Sequence, residues 1–282
     1  MTNFNKGSLY IVATPIGNRD DITYRAVKVL SQVDLILAED TRHSRPLLDY
    51  YDISTRLKSC HEHNESSVVA GVIESLEEGK SVALISDAGT PLISDPGFVL
   101  VRAVRQAGYE VVAIPGPSSI IAALSIAGLP TDRFVYEGFM PSKSTARRER
   151  YLDLTQDSRT IVVLESSHRI ASSLKDLQKV VGDDRSIAVA RELTKKFETV
   201  LFGSISGVIA QLEEDSNQLK GEFVVLISGS TEATSTTHGL SSKRVLEILS
   251  AELSLKQSAK LAAELTGEKK NDLYALGLTL KK

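Results

Sequence analysis

Four short stretches carry residues able to bind or react, and each follows an apolar run: TPIGN (residues 14–18), EDTRH (39–43), SDAGTPLISDPG (86–97) and PGPSS (115–119). Their glycines permit positive φ and close approach of backbone to a ligand, while their prolines fix φ, so the loops are shaped and stiff. Hydroxyls, backbone donors and acceptors and an acid such as Asp87 form an inventory suited to a ligand with a nucleoside end and an amino-acid end. Neither G-x-G-x-x-G after the first apolar run nor G-x-x-x-x-G-K-[ST] anywhere is present, which removes the main support for a dinucleotide or nucleoside triphosphate pocket.

Several of these residues also have plain structural uses. EDTRH reads either as a surface salt-bridge cluster or as a substrate contact, and its place at a strand end favours the second. Asp95 reads as the cap of a helix starting near Pro96. His168 reads as opening a helix after ESS. His61 and His63 with Glu62 and Glu65 suggest a metal at first sight, but a site needs ligands converging from elsewhere, and no metal is expected. The single cysteine, Cys60, excludes an internal disulfide and fits a reducing, cytoplasmic setting.

The elements that must position these loops follow from periodicity. Apolar runs at Leu9–Ala13, Leu35–Ala38, Val82–Ser86 and Glu110–Ile114 alternate with helical stretches at 22–32, 65–78 and 98–106, the pattern of an open, mainly parallel α/β sheet. In such sheets ligands bind beyond the carboxyl ends of the strands, where all four loops fall. A segment rich in proline and glycine, 128–144, places a boundary near residue 130. From 131 to 229 a second α/β domain is expected, with a mixed sheet, because the strands at 186 and 198 lie too close for a crossover helix and should pair antiparallel. Residues 230–239 read as a polar linker, and 240–282 as three short helices capped at Ser241 and Ser254, with a stop at Gly267. The tail holds eight Lys or Arg against five acids in 241–282, a balance of +3 in a chain of net charge −3. Bulk charge therefore excludes a chain that coats nucleic acid, and any RNA contact must be local. No secretory signal and no membrane span is expected, nor a DNA partner. The loop inventory at these strand ends fits S-adenosylmethionine.

Nine ordered motifs carry a more specific resemblance: YIVATPIGNRDDITYRAVKVL, AEDTRHSRPLL, HEHNE, SDAGTPLISDPG, IPGPSS, YEGFMP, ESSHRI, ARELTKKFE and KGEFVVLI. Together they resemble the bacterial ribosomal RNA small subunit methyltransferase I family of the tetrapyrrole methylase superfamily, from about residue 7 to 228, and the tail resembles that family's helical C-terminal domain. The resemblance implies two α/β domains, a homodimer, S-adenosylmethionine as cofactor, and 2′-O-ribose methylation of a decoding-centre cytidine in 16S rRNA of the small ribosomal subunit. By position, it implies cofactor contacts from Pro15, from Ser86, Asp87, Ala88, Gly89 and Thr90, and from Pro117, Ser118 and Ser119. The second domain is implied to add Glu165, Ala190, Arg191, Gly221 and Glu222. Porphyrin-modifying relatives carry a G-x-G-x-G turn after the first strand where this chain has ATPIGN, which favours the RNA branch.

Methyl transfer to a ribose hydroxyl is an in-line displacement that needs positioning and a proton acceptor. Glu39, Asp40 and His61 are the acceptor candidates, and Arg42 or Lys195 would hold phosphate or an alkoxide. Two other classes stay open: a methyltransferase of a tetrapyrrole or other small molecule, and a ribosome-binding module without activity. The tail reads either as an RNA-docking module, for which the spacing of Ala259, Ala262 and Ala263 suits a helix-turn-helix, or as a helical cap on a dimer.

Overall fold

Continuous apolar runs make strands covered on both faces, and in the first half of the chain they form one wholly parallel sheet. The computed structural model describes residues 5–183, 185–230 and 242–280. The sheet has the order β3-β2-β4-β1-β5, with β1 (Ser8–Val12), β2 (Leu35–Ala38), β3 (Leu57–Ser59), β4 (Val82–Ile85) and β5 (Glu110–Ile114). Helices α1 (Tyr24–Leu30), α2 (Thr41–Tyr50), α3 (Glu65–Glu77), α4 (Phe98–Gln106) and α5 (Ser119–Ile126) connect and follow them. The short edge strand β3 and the helix α2 over a stretch read as a loop are additions to the pattern expected from sequence.

This order decides which loops meet. β4 lies between β2 and β1, and β5 lies on the other side of β1, so the loops line up as EDTRH, SDAGT, TPIGN and PGPSS along one sheet edge. The SDAGT loop is bonded to the other three. Asp40 N donates to Asp87 Oδ1 at 3.1 Å, Thr14 and Gly89 exchange backbone bonds at 2.8 and 3.0 Å, and Thr90 Oγ1 donates to Pro117 O at 3.1 Å.

The second sheet is mixed, in the order β6-β7-β10-β8-β9: β6 (Phe134–Phe139), β7 (Thr160–Ser166), β8 (Ser186–Arg191), β9 (Thr199–Ser204) and β10 (Glu222–Ile227). β6 runs parallel to β7 and the other pairs are antiparallel, including β8 with β9. Helices α6 (Ser144–Leu154), α7 (Ile170–Val181) and α8 (Ile205–Glu214) belong to this half. β6 occupies the stretch read as a boundary, and it breaks alternation because Gly138, at φ 69°, makes a bulge against β7. Register brings the carboxyl ends of β7 and β8 to the start of β10: Glu222 faces Ser166, and Phe223 faces Arg191.

Helix α5 joins the two halves. Its Ile120, Ala123 and Leu124 pack with Ile16 of the first loop against Val162, Ala188, Ala190, Val224 and Leu226, which lie on one face of the second sheet. Residues Met1–Gly229 accordingly form one unit, and Ser230–Lys282 another.

Two readings from sequence are corrected here. Asp95 does not cap α4: Gly97 holds the N-cap position at φ 130°, without a side-chain cap bond. Left-handed Ser94, at φ 66°, turns the chain just before Asp95, whose carboxyl is raised to about 7 by burial and by the nearby charges of Glu39 and Asp87. His168 lies in the turn before α7, which opens at Ile170 after Arg169. The linker 231–239 and the expected cap Ser241 fall outside the described residues.

In the tail, α9 (Ser242–Glu252), α10 (Leu255–Thr266) and α11 (Lys270–Leu280) close on Val245, Leu246, Ala259, Ala262 and Leu273. Ser254 and Gln257 form a capping box at the start of α10, and left-handed Gly267 ends it. A Cβ at Gly277 would meet Leu255 Cδ1 at 2.2 Å, so glycine is what lets α11 approach this closely. Among the described residues, no helix is long and apolar enough to cross a membrane.

Candidate active site

The loop edge of the first sheet and the strand-end edge of the second enclose two adjoining cavities. The first, about 370 Å³, has walls that are largely apolar: Ile16, Phe139, Leu164, Leu193, Phe223 and Val224, together with Ala88, Ser119, Glu165, Ser166, Ala190, Gly221 and Glu222. The second, about 440 Å³, is polar and carries cations: Arg19, Arg42 and Lys195 line it with Pro15, Gly17, His43, Ser86 and Asp87. Ile16, Ala88 and Glu222 line both. Both volumes are of the size that holds a small ligand or one residue of a larger one.

Glu165 is the polar anchor of the first cavity. Only 2% exposed, it accepts from Ser166 N at 2.8 Å and from Arg169 Nε at 2.9 Å, both on Oε1. Its Oε2 is buried and has no hydrogen-bond partner among the described residues. A buried carboxylate oxygen left unmet is costly, which sets Glu165 apart among the residues that line this cavity. Arg169 also donates to Ser166 Oγ at 3.1 Å and Met140 O at 3.3 Å, which fixes it between β7 and the end of β6.

In the second cavity, Arg42 grips Asp40 with Nε at 3.1 Å and Nη2 at 2.7 Å, while Asp40 caps α2 by accepting from Arg42 N at 2.8 Å. The Arg42 guanidinium holds the exposed Asp40 carboxyl well below its usual range, so Asp40 is a poor proton acceptor. Lys195 reaches Glu192 Oε1 at 3.0 Å and Glu222 Oε2 at 3.1 Å. Burial pulls its pKa down, but the two carboxylates outweigh that and leave it above the ordinary lysine value, a fixed cation. Glu39, at the end of β2, is raised first by burial and then by Asp87. His61, at the end of β3, has a buried Nδ1 without a partner among the described residues.

Of the residues singled out from sequence, Ala88, Ser119, Glu165, Ala190, Gly221 and Glu222 thus meet at the first cavity, and Pro15, Ser86, Asp87, Arg42 and Lys195 at the second. Glu39, Asp40 and His61 do not line the second cavity, although Asp40 is bonded to Arg42, which does. Gly89, Thr90, Pro117 and Ser118 line neither: the first three bond neighbouring loops together, and Ser118 precedes α5. Arg191 points the other way. Its guanidinium donates to Lys220 O at 2.6 Å, Phe197 O at 3.0 Å and Asn217 O at 2.9 Å. Sequence reasoning did not single out Phe139, Leu164, Leu193 and Phe223 in the first cavity or Arg19 in the second, and it named Ile16, Gly17 and His43 only as parts of TPIGN and EDTRH. β7 and β10 are apolar on both faces and so do not single out Leu164 or Phe223, and Phe139 sits in a strand broken by its bulge.

Two parallel and mixed sheets meeting at such a cleft define a class. The family described as Tetrapyrrole (Corrin/Porphyrin) Methylases matches residues 8–209, and the RsmI C-terminal HTH domain matches 240–281. Uroporphyrin-III-C-methyltransferase from Thermus thermophilus superposes with a TM-score of 0.56 at 20% identity, covering 79% of this chain and 94% of that one, and so shares the fold. Proteins named ribosomal RNA small subunit methyltransferase I are far nearer in sequence. That of Xylella fastidiosa is 50% identical over 95% of this chain and 98% of its own, and that of Escherichia coli O157:H7 is 48% identical over 97% and 96%. The chain belongs to the ribosomal RNA small subunit methyltransferase I family, within the tetrapyrrole methylases. The methyl donor of these enzymes is S-adenosylmethionine. The first cavity suits it, with apolar walls for the nucleoside and thioether and an unmet acidic acceptor for a hydroxyl or amino group.

Proposed function

We propose that the protein methylates the ribose 2′-hydroxyl of a decoding-centre cytidine in 16S rRNA, acting on the small ribosomal subunit in the cytoplasm as a homodimer. The observation that carries this reading is the pair of adjoining cavities, one apolar with an acidic anchor and one polar with cations, which share Ile16, Ala88 and Glu222. Bound S-adenosylmethionine supplies a methyl group on a sulfonium whose charge is lost on transfer, which apolar walls favour. Ser119, Glu165, Ala190 and Gly221 hold that side, and Pro15, Ser86 and Asp87 shape the passage to the second cavity. There Arg42 reaches a phosphate with the guanidinium N–H groups that Asp40 does not take, and Lys195, protonated and braced by two carboxylates, stabilises the developing alkoxide.

Of the three acceptor candidates Glu39 is best suited, because burial and Asp87 raise its proton affinity, whereas Arg42 suppresses that of Asp40. Glu39 does not line the cavity, so the proton reaches it through a bridging water. The exposed apolar side chains of Phe98, Ile121 and Ile126, on α4 and α5, support the homodimer as a surface that a second copy covers. The tail, with its +3 balance, serves as a separate RNA-docking module beyond the linker 230–239.

Incubation of the purified protein with labelled S-adenosylmethionine and small subunits from a strain lacking the gene tests this. Label recovered in an alkali-resistant dinucleotide containing cytidine is the expected result, since a 2′-O-methyl group blocks cleavage at its own phosphate. Label in a base, in large-subunit RNA, or in an added uroporphyrinogen would overturn it.

A further inference from the structure

A third cavity, about 540 Å³, opens beside the 220–222 segment. Its walls are two turns, Glu192 to Phe197 and Asp215 to Lys220, and one buried side chain ties them together: Arg191 bonds the carbonyls of Phe197, Asn217 and Lys220. The first turn is further fixed by two non-glycine residues in the left-handed region, Glu192 at φ 49° and Thr194 at φ 64°, a conformation that persists only where the surroundings over-determine it. On this stiff frame Phe197 stands 61% exposed, with Lys196 Nζ 5.5 Å from its ring centroid. Opposite, Lys220 Nζ donates to the neutral Asn217 Oδ1 at 3.0 Å, and Gln218 Oε1 is buried with no partner among the described residues.

An aromatic ring held in water contributes little to a core, but it makes a stacking platform. Two ammonium groups on the two turns suit a phosphodiester. We infer that this third cavity is a subsite for a nucleotide flanking the target in a single-stranded segment of the RNA substrate. The base stacks on Phe197, and Lys196 and Lys220 hold its phosphate. The inference rests on the proposed RNA methyltransferase function and extends it. Position supports it: Gly221 lines both this cavity and the methyl-donor cavity, and Lys195 of the second cavity lies two residues from Phe197, at most about 7 Å of extended chain. A strand with its target ribose beside Lys195 passes over Phe197 as it leaves.

The test compares Phe197→Ala and Phe197→Trp with the wild type by fluorescence anisotropy on an oligoribonucleotide carrying the target and its flanks. Methylation of small subunits, S-adenosylmethionine calorimetry and solution mass accompany it. Phe197→Ala should weaken oligonucleotide binding by roughly 5–100-fold and raise the KM for subunits, with cofactor affinity and mass unchanged, and Phe197→Trp should restore binding. Wild-type RNA affinity and KM in Phe197→Ala overturn the subsite alone. So does a Phe197→Trp variant no better than the alanine one, or a fall in solution mass, which would give Phe197 to a contact with a second copy. A wild-type protein that fails to methylate subunits overturns the underlying function and the subsite with it.

Discussion

Replacing Glu165 by Gln isolates the acidic anchor of the methyl-donor cavity, because the substitution keeps size and shape. Oε1 takes two donors, Ser166 N and Arg169 Nε, so in the variant the amide carbonyl must occupy that position and the amide nitrogen replaces the unpartnered Oε2. Where the wild type offers the ligand an unmet acceptor, the variant offers a donor. A hydrogen bond to a charged group contributes about 1.5–3 kcal/mol, so S-adenosylmethionine should bind roughly 10–150-fold more weakly. The fold should survive, since Arg169 keeps its bonds to Ser166 Oγ and Met140 O. Isothermal titration with the cofactor, alongside a thermal melt, reads both quantities. An unchanged Kd in a folded variant would refute the assignment of Oε2 to the ligand, and a collapsed melting temperature would make Glu165 a structural residue.

Further outcomes follow from the second cavity and its surroundings. Arg42→Ala removes the fork of donors but keeps the cap of α2, which uses the backbone N of residue 42, so subunit methylation should fall at least tenfold while calorimetry shows cofactor affinity nearly intact. Gly17→Ala puts a Cβ 2.5 Å from Lys195 Cγ and 3.1 Å from Leu193 O, so it should cost about 1–3 kcal/mol in denaturant titration and break the Asn18 N bond to Thr194 Oγ1 that joins the two halves. Asp95 has its proton affinity raised in the folded state, so its contribution is fully present below about pH 4 and lost as the pH rises to about 7. Asp95→Asn should therefore melt higher than wild type at pH 8, with the difference shrinking toward pH 4; equal melting curves at pH 8 would contradict the buried placement.

The loops around the cleft were legible because glycine and proline follow apolar runs at TPIGN, SDAGT and PGPSS, and a parallel sheet sends those ends to one edge. Strand order was not legible, and it decides which loops touch: nothing in the chain announces that Asp40 will donate its amide to Asp87, 47 residues away. Alternation held information that the motif comparison hid. Ala190 and Arg191 are neighbours on β8 and face opposite ways; Ala190 lines the cavity, whereas Arg191 turns to the carbonyls of Phe197, Asn217 and Lys220. Phe139 was missed because the bulge at Gly138 erased the strand period, and Asp95 was misassigned because a proline and a glycine after it imitate a helix start. The anchoring of Glu165 by Arg169 is an i, i+4 pair across a strand end and a turn, which no helical period signals.

The packing of α5 on the second sheet has a consequence for how the chain is made. The central strand of that sheet, β10, lies between β7 and β8 and is its last to be synthesised. At about 5–20 residues per second, the roughly 100 residues between α5 and β10 take on the order of 5–20 s to emerge. Through that interval Ile120, Ala123 and Leu124 have no completed surface to cover them, although the parallel sheet that precedes them is already translated in full. Nascent chains stalled with α5 outside the ribosomal tunnel and β10 not yet synthesised should therefore recruit a holding chaperone at α5, and release it once Ile227 has cleared the tunnel.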